Sequence, residues 1–169
     1  KAVPKKDLGL LAMAYGNVYV AQVAYGAKDA QTMKAFVEAD AWPGPSLVIA
    51  YAHCIAHGYD LTHGPAQQKL AVETGYWPLY RHAPRRAGPG QSPLQLDASP
   101  PSKRLAEFTR NETRFRLVEQ QDPARFRQLM ARAQEDIVER HAMYRHMADP
   151  LEHGATLPEA VPVPTNPRR

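Results

Sequence analysis

Ser46-Leu47-Val48-Ile49-Ala50-Tyr51-Ala52-His53-Cys54-Ile55-Ala56-His57-Gly58-Tyr59-Asp60-Leu61-Thr62-His63-Gly64 carries most of what this chain says about its fold. It opens with an unbroken apolar run, Leu47 to Ala52, preceded by Pro43-Gly44-Pro45. A short apolar run between turn signals predicts a buried strand, of the kind that parallel sheets cover on both faces. The run stops at His53-Cys54, and Cys54 is the only cysteine present. In open α/β sheets, ligands bind beyond the carboxyl ends of the strands. The sole thiol is therefore expected where such a fold keeps its chemistry.

Working outward, Val18 to Tyr25 is rich in β-branched and aromatic residues and predicts a second strand. Between the two strands, Asp29 is a candidate N-cap for a helix from Ala30 to about Ala41. Met33, Phe36 and Val37 would form its apolar face at i, i+3, i+4 spacing. Strand, helix, strand over this length is a βαβ unit, so the two strands should run parallel with a right-handed crossover. Upstream, Asp7 can cap a helix to about Tyr15, ended by Gly16. Downstream, Pro65 suits the start of a helix through Thr74, with Gly75 as its stop. Tyr76 to His82 predicts a short strand, and residues 83–102 a long irregular connection rich in Pro and Gly. Lys103 to Asn111 is compatible with a short helix. Asp122-Pro123 then opens a long helix to Ala148, with Phe126, Leu129, Met130, Ala133, Ile137 and Tyr144 at helical spacing. Arg132, Asp136 and Arg140 would form charge pairs on its solvated face. Residues 150–169 lack periodicity and read as a disordered tail.

The composition sets bounds. The chain has 169 residues, 44% hydrophobic and 22% charged, which is ordinary for a folded globular protein. No apolar run approaches a membrane span, and no signal peptide is visible. A single cysteine excludes an internal disulfide framework and fits a reducing, cytoplasmic setting. The net charge of +4 is spread out, with small clusters at Lys5-Lys6, Arg85-Arg86 and Arg168-Arg169. No recognition motif accompanies them, so neither nucleic acid nor membrane is an expected partner. Arg81, Arg85 and Arg86 are candidates to meet an acidic carrier protein or a phosphate. The chain does not begin with Met, which reads as a fragment.

On residue type alone, a lone cysteine after a strand is a small buried hydrophobe. Cys54 with His53, His57 and His63 offers enough donors for a tetrahedral zinc site, but the spacing follows no zinc motif. His53 and Cys54, being adjacent on extended chain, should point to opposite sides. Cys–His nucleophilic catalysis lacks an assignable orienting group. No glycine pattern here cradles a phosphate.

A resemblance adds to this reading. Ile49 through Tyr59 resembles a segment near the C-terminus of the pyruvate:ferredoxin (flavodoxin) oxidoreductases, the nitrogen-fixation type nearest. Lys6-Asp7-Leu8-Gly9-Leu10, Tyr15 through Ala21, and Thr32 to Pro45 resemble it too. So do Gln67 through Glu73, Gly75-Tyr76-Trp77-Pro78-Leu79 and Pro93-Leu94-Gln95-Leu96-Asp97, and the likeness runs over roughly residues 5–148. It implies an α/β fold that forms part of a thiamin-diphosphate-binding fold. Residues 1–97 would end that coenzyme domain, 98–149 would be a helical C-terminal extension, and 150–169 the Pro-rich tail. It also implies that Cys54 is one ligand of a [4Fe-4S] cluster, with His57 and Gly58 lying around the cofactor.

A cubane cluster needs four anchors, normally four thiolates, so this piece alone should neither hold a cluster nor be active. The diphosphate-and-Mg2+ motif, a Gly-Asp-Gly with a downstream Asn, is absent. The implied activity of the intact enzyme is oxidative decarboxylation of pyruvate to acetyl-coenzyme A, with electrons passed to flavodoxin or ferredoxin. The rest of the enzyme chain and a homodimeric state are the implied partners. The competing reading is a non-catalytic basic α/β module that docks on a larger complex.

Overall fold

The computed structural model describes residues 6–84 and 91–150. The expectations for the leading residues, for Arg85-Arg86 and for the tail beyond Pro150 fall outside the described residues. The element order is α1 (Leu8–Met13), β1 (Tyr19–Val23), α2 (Asp29–Asp40), β2 (Ser46–Ala50), α3 (Gly64–Glu73), β3 (Tyr80–His82), β4 (Leu94–Leu96), α4 (Leu105–Thr109), α5 (Thr113–Gln121) and α6 (Pro123–Ala148). This is an α/β fold around a mixed four-stranded sheet in the order β2-β1-β3-β4. The expected βαβ unit is present, because β1 and β2 pair in parallel from Tyr19↔Ser46 to Val23↔Ala50. The other half is antiparallel, with Ala21 opposite Arg81 and Arg81 opposite Gln95.

β1 is the central strand, and all five of its residues are buried. Its alternation sends Tyr19, Ala21 and Val23 toward Ala35 of α2. Val20 faces the opposite layer with Met13 of α1, Tyr80 and Leu94 of the sheet, and Tyr144 of α6. Helices thus cover both faces, the arrangement that a parallel pair requires. α6 is therefore not an appendage. Tyr144 is fully buried, stacks on Tyr80 at 4.9 Å, and donates its hydroxyl to Asp7 Oδ2 at 2.6 Å. Burial pushes the Tyr80 hydroxyl up to about 12. A second cluster joins Ala71 of α3 and Phe108 of α4 to Ile137 of α6.

Local chemistry explains most element ends. Asp7 caps α1 by accepting from Leu10 N–H at 3.1 Å, and Asp122 caps α6 by accepting from Arg125 N–H at 2.9 Å. Gly16 and Gly75 close α1 and α3 in left-handed conformation, at φ 72° and 71°.

Several expectations fail. β2 is not buried: it is the edge strand of the sheet, and its residues are half-buried or exposed. Met33, Phe36 and Val37 do not face the core. They are 58%, 52% and 65% exposed, while Gln31, Thr32 and Ala35 make the inward face of α2. Asp29 is not the N-cap of α2; Lys28 holds that position, and Asp29 lies inside the first turn. The connection after His82 is not wholly irregular, since Leu94–Leu96 pairs with β3. α5 has no counterpart among the predicted elements. Arg140 is not simply on a solvated face, because it donates to Gly75 O and Tyr76 O at 2.8 and 3.0 Å.

Arg81 is also corrected. It is 6% exposed, forks onto both Asp97 oxygens at 2.8 and 2.9 Å, and reaches Glu38 Oε1 at 2.7 Å. The Asp97 hydrogen bonds raise its pKa against the opposing effect of burial, with Glu38 adding to the rise. This guanidinium ties β3 to α2 and to the end of β4. It is not displayed to an acidic carrier.

Candidate functional site

The chain leaves the sheet at the carboxyl end of β2, where Tyr51 N–H still bonds Val23 O at 2.9 Å. Cys54 then sits in extended conformation, φ −144° and ψ 135°, and starts a 3-10 turn over Ile55–His57. It is exposed, which replaces the expectation of a buried small hydrophobe. Ile55 beside it is 83% exposed. The cysteine therefore stands on a crest, and the chain on either side of it is anchored.

Upstream, His53 Nδ1 pairs with the Tyr59 hydroxyl at 2.9 Å and His53 Nε2 with Gln68 Nε2 at 3.2 Å. Its ring covers Gly64 at the start of α3 so closely that a Cβ there would lie 2.5 Å from it. Downstream, His57 N–H bonds Cys54 O at 3.0 Å and Gly58 N–H bonds Ile55 O at 3.1 Å. Gly58 takes φ 72° and ψ 52°, which an L side chain adopts only with strain. Its carbonyl accepts from both Thr113 N–H and Thr113 Oγ1, at 3.1 and 2.6 Å. Gly58 is thus the point where the Cys54 turn docks on α5.

The histidines do not converge on Cys54. His53 and His57 share Tyr59 instead, with ring centroids 6.5 Å from it in each case, one edge-on and one stacked. His63 is exposed and occupies the N-cap position of α3. Among the described residues, no three His, Cys, Asp or Glu side chains are grouped to hold a metal ion. Cys54, His53, His57 and His63 are not gathered into a tetrahedral donor set in this arrangement. Burial lowers the His57 pKa, and the Arg114 charge lowers it further. Burial raises Tyr51, with the Glu112 charge acting in the same direction. Both charges belong to a pair beneath the loop. Glu112 is fully buried, accepts from Gln67 Nε2 at 3.0 Å and pairs with Arg114 Nε. Tyr51 Oη and His57 Nδ1 are buried near this pair without a hydrogen-bond partner among the described residues.

Glu112, Thr113 and Arg114 escaped the sequence reading, and Gln67 entered it only as part of a matching stretch. Gln67 reaches Phe108 and Glu112 across 41 and 45 positions and Thr113 reaches Gly58 across 55, and no local pattern marks such contacts.

The donor set limits what the site can hold. A [4Fe-4S] cubane takes four thiolates, and the chain has one cysteine. An exposed cysteine at a strand's carboxyl end fits one corner of such a cluster and no more. Among the described residues no helix is long and apolar enough to cross a membrane.

Comparison with known proteins defines the class. The chain is homologous to a segment of much larger oxidoreductases, and it spans 12–13% of the length of the relatives it matches. Those relatives are the pyruvate-flavodoxin and pyruvate:ferredoxin oxidoreductases. The chain is 55% identical over 148 residues to the pyruvate-flavodoxin oxidoreductase of Rhodospirillum rubrum, covering 88% of this chain and 12% of the relative. It is 49% identical over the same length to the pyruvate-flavodoxin oxidoreductase of Nostoc sp., with the same coverage. It is 46% identical over 149 residues to the pyruvate:ferredoxin oxidoreductase of Moorella thermoacetica, covering 88% of this chain and 13% of the relative. No protein-family model matches the chain.

Proposed function

We propose that the chain is the C-terminal portion of a cytoplasmic pyruvate:flavodoxin or ferredoxin oxidoreductase, and that Cys54 supplies one thiolate to a [4Fe-4S] cluster of that enzyme. The observation that carries the reading is identity of 46–55% to enzymes of that name over nearly nine-tenths of the chain. The exposed sole thiol at the carboxyl end of β2 supports the choice of Cys54. The open β2 edge and the outward Met33, Phe36 and Val37 support incorporation into a larger body, because large apolar side chains are favoured where water is excluded.

In the intact homodimer the reaction joins pyruvate and coenzyme A, releases carbon dioxide, and yields acetyl-coenzyme A with two electrons for the carrier. When bound, thiamin diphosphate with Mg2+ supplies carbanion stabilisation and the clusters supply one-electron transfer. This chain's part is placement. Cys54 offers the thiolate, His53 and the Gly58 turn hold it, and His57 and Tyr59 shape the polarity beside it. The thiamin diphosphate site and the other cluster thiolates belong to the remainder of the polypeptide, so the piece alone is inactive.

The test is Cys54→Ser in the longer protein that contains this chain. The expected result is loss of one cluster's worth of iron and sulfide together with loss of flavodoxin or ferredoxin reduction. Unchanged iron with unchanged carrier reduction overturns the assignment of Cys54.

A further inference from the structure

The downstream hold on the Cys54 crest comes from one short segment far away in sequence. Gly58 O accepts both the N–H and the hydroxyl of Thr113. Thr113 is itself fixed: Arg116 Nη2 donates to its Oγ1 at 2.8 Å, and it opens α5. On one side of it stands Glu112, a fully buried carboxylate held by Gln67 Nε2 and Arg114. On the other side Arg114 lies 4.6 Å from the centroid of the Phe115 ring. A second Gln67 contact, from Asn111 Nδ2 at 3.0 Å, ties the same junction to α3. A buried carboxylate persists only where its partners are geometrically fixed, since losing one leaves an uncompensated charge. Such a pair is a poor source of stability but a rigid reference point. Here it brackets Thr113, which grips the downstream side of the loop.

We infer that Glu112-Thr113-Arg114 is a positioning element for Cys54, which acts through Gly58 to hold the thiol crest in one orientation. The inference rests on reading Cys54 as the functional atom, and it adds which residues preorganise it. A ligand atom held by its supporting shell needs no reordering when its metal arrives. Thr113 is the contact residue, and Glu112 and Arg114 keep it in place.

Cys54 is the only cysteine in the 169-residue chain, so a nitroxide label on this chain reports the crest alone. Thr113→Val keeps the N–H bond to Gly58 O and removes the hydroxyl. The expected result is a sharper, more mobile nitroxide line shape and amide exchange over residues 54–59 faster by about fivefold, the factor for one net hydrogen bond. Thr113→Ser returns both toward the parent values, which a role in packing alone would not. Glu112→Gln moves both readouts in the direction of Thr113→Val; if that variant fails to fold, the two Thr113 variants decide the matter. A folded Thr113→Val with parent line shape and parent exchange overturns the inference, as does Thr113→Ser that behaves like Thr113→Val. In the longer protein, Thr113→Val should alter the reduced-state paramagnetic spectrum while iron content holds. Label mobility tests the clamp and iron content in Cys54→Ser tests the ligand, so the two failures are distinguishable.

Discussion

Gly58 and Gly16 form a matched pair for measuring how closely the Cys54 loop approaches α5. Both adopt φ 72°. A Cβ added at Gly16 meets nothing within 4 Å, whereas one at Gly58 lies 2.6 Å from Thr113 Cβ and 2.9 Å from Thr113 Oγ1. The left-handed backbone costs alanine about 1–2 kcal/mol at either position. At Gly58 the clash adds to this, and the chain takes the cheaper of two escapes. Shifting Thr113 within its packed surroundings costs roughly 1–3 kcal/mol. Undocking the loop forfeits the two bonds to Gly58 O, again roughly 1–3 kcal/mol together. Gly16→Ala is therefore expected to lose about 1–2 kcal/mol and Gly58→Ala about 2–5 kcal/mol. Urea unfolding followed by far-ultraviolet circular dichroism measures both, through the midpoint at constant slope. Equal losses at the two glycines would refute the reasoning, because the close approach at Gly58 would then carry no energetic weight.

Two further perturbations test the fold around the site. Arg81→Met leaves the Glu38 and Asp97 carboxylates, 9% and 14% exposed, without their guanidinium. A loss of about 3–5 kcal/mol is expected from breaking a buried pair, read as a lowered thermal midpoint, and a loss below about 1 kcal/mol would place Arg81 among exposed pairs. His82, 7% exposed, has its pKa lowered by burial, partly opposed by the hydrogen bond to the Val18 backbone. Below its unfolded pKa of about 6.5 the unfolded chain binds the proton first. Stability is thus fully present above that pH and falls as pH drops toward the depressed folded value. His57 contributes in the same direction. His82→Asn should flatten the slope of stability between roughly pH 7 and 5, and an unchanged slope would remove His82 as a cause.

What the sequence made legible follows the range of the interaction. Asp7, Gly16, Gly75 and the Asp122-Pro123 step act within a turn or two of themselves, and each does what its residue type predicts. The βαβ unit was legible because its two strands and one helix are consecutive. The place of Cys54 just past β2 followed from the end of the apolar run, and the turn of the His53 ring to Tyr59 and Gln68 agrees with alternation along extended chain, whereas the exposure of the thiol did not follow from its residue type. The clamp was not legible. Thr113 meets Gly58 only because α4, α5 and α6 fold back over α3, and nothing near Thr113 announces it. The same holds for Arg81, whose basic charge suggested a surface role, whereas Glu38 and Asp97 hold it inside the fold.

The two largest misreadings share a sign. Leu47-Val48-Ile49 and Met33, Phe36 and Val37 carry the apolar patterns of buried elements, yet β2 lies at the sheet edge and that face of α2 is exposed. Propensity and turn chemistry are not at fault, since both elements form in the right order and the strands pair in the right direction. What differs is the extent of the surroundings. An apolar run flanked by partners on both faces is the signature of an interior parallel strand, and a strand with one free edge invites another to pair with it. The relatives are about eight times as long as the matched segment, by the 12% coverage. Within a polypeptide of that size, as proposed, the same patterns would describe an interior element, and the β2 edge and the outer face of α2 would be the surface along which the remainder packs. The same logic applies to Cys54. Under the proposed ligand role, one exposed thiolate would be an incomplete set for a cubane, and Cys54 lies just past the carboxyl end of the same edge strand.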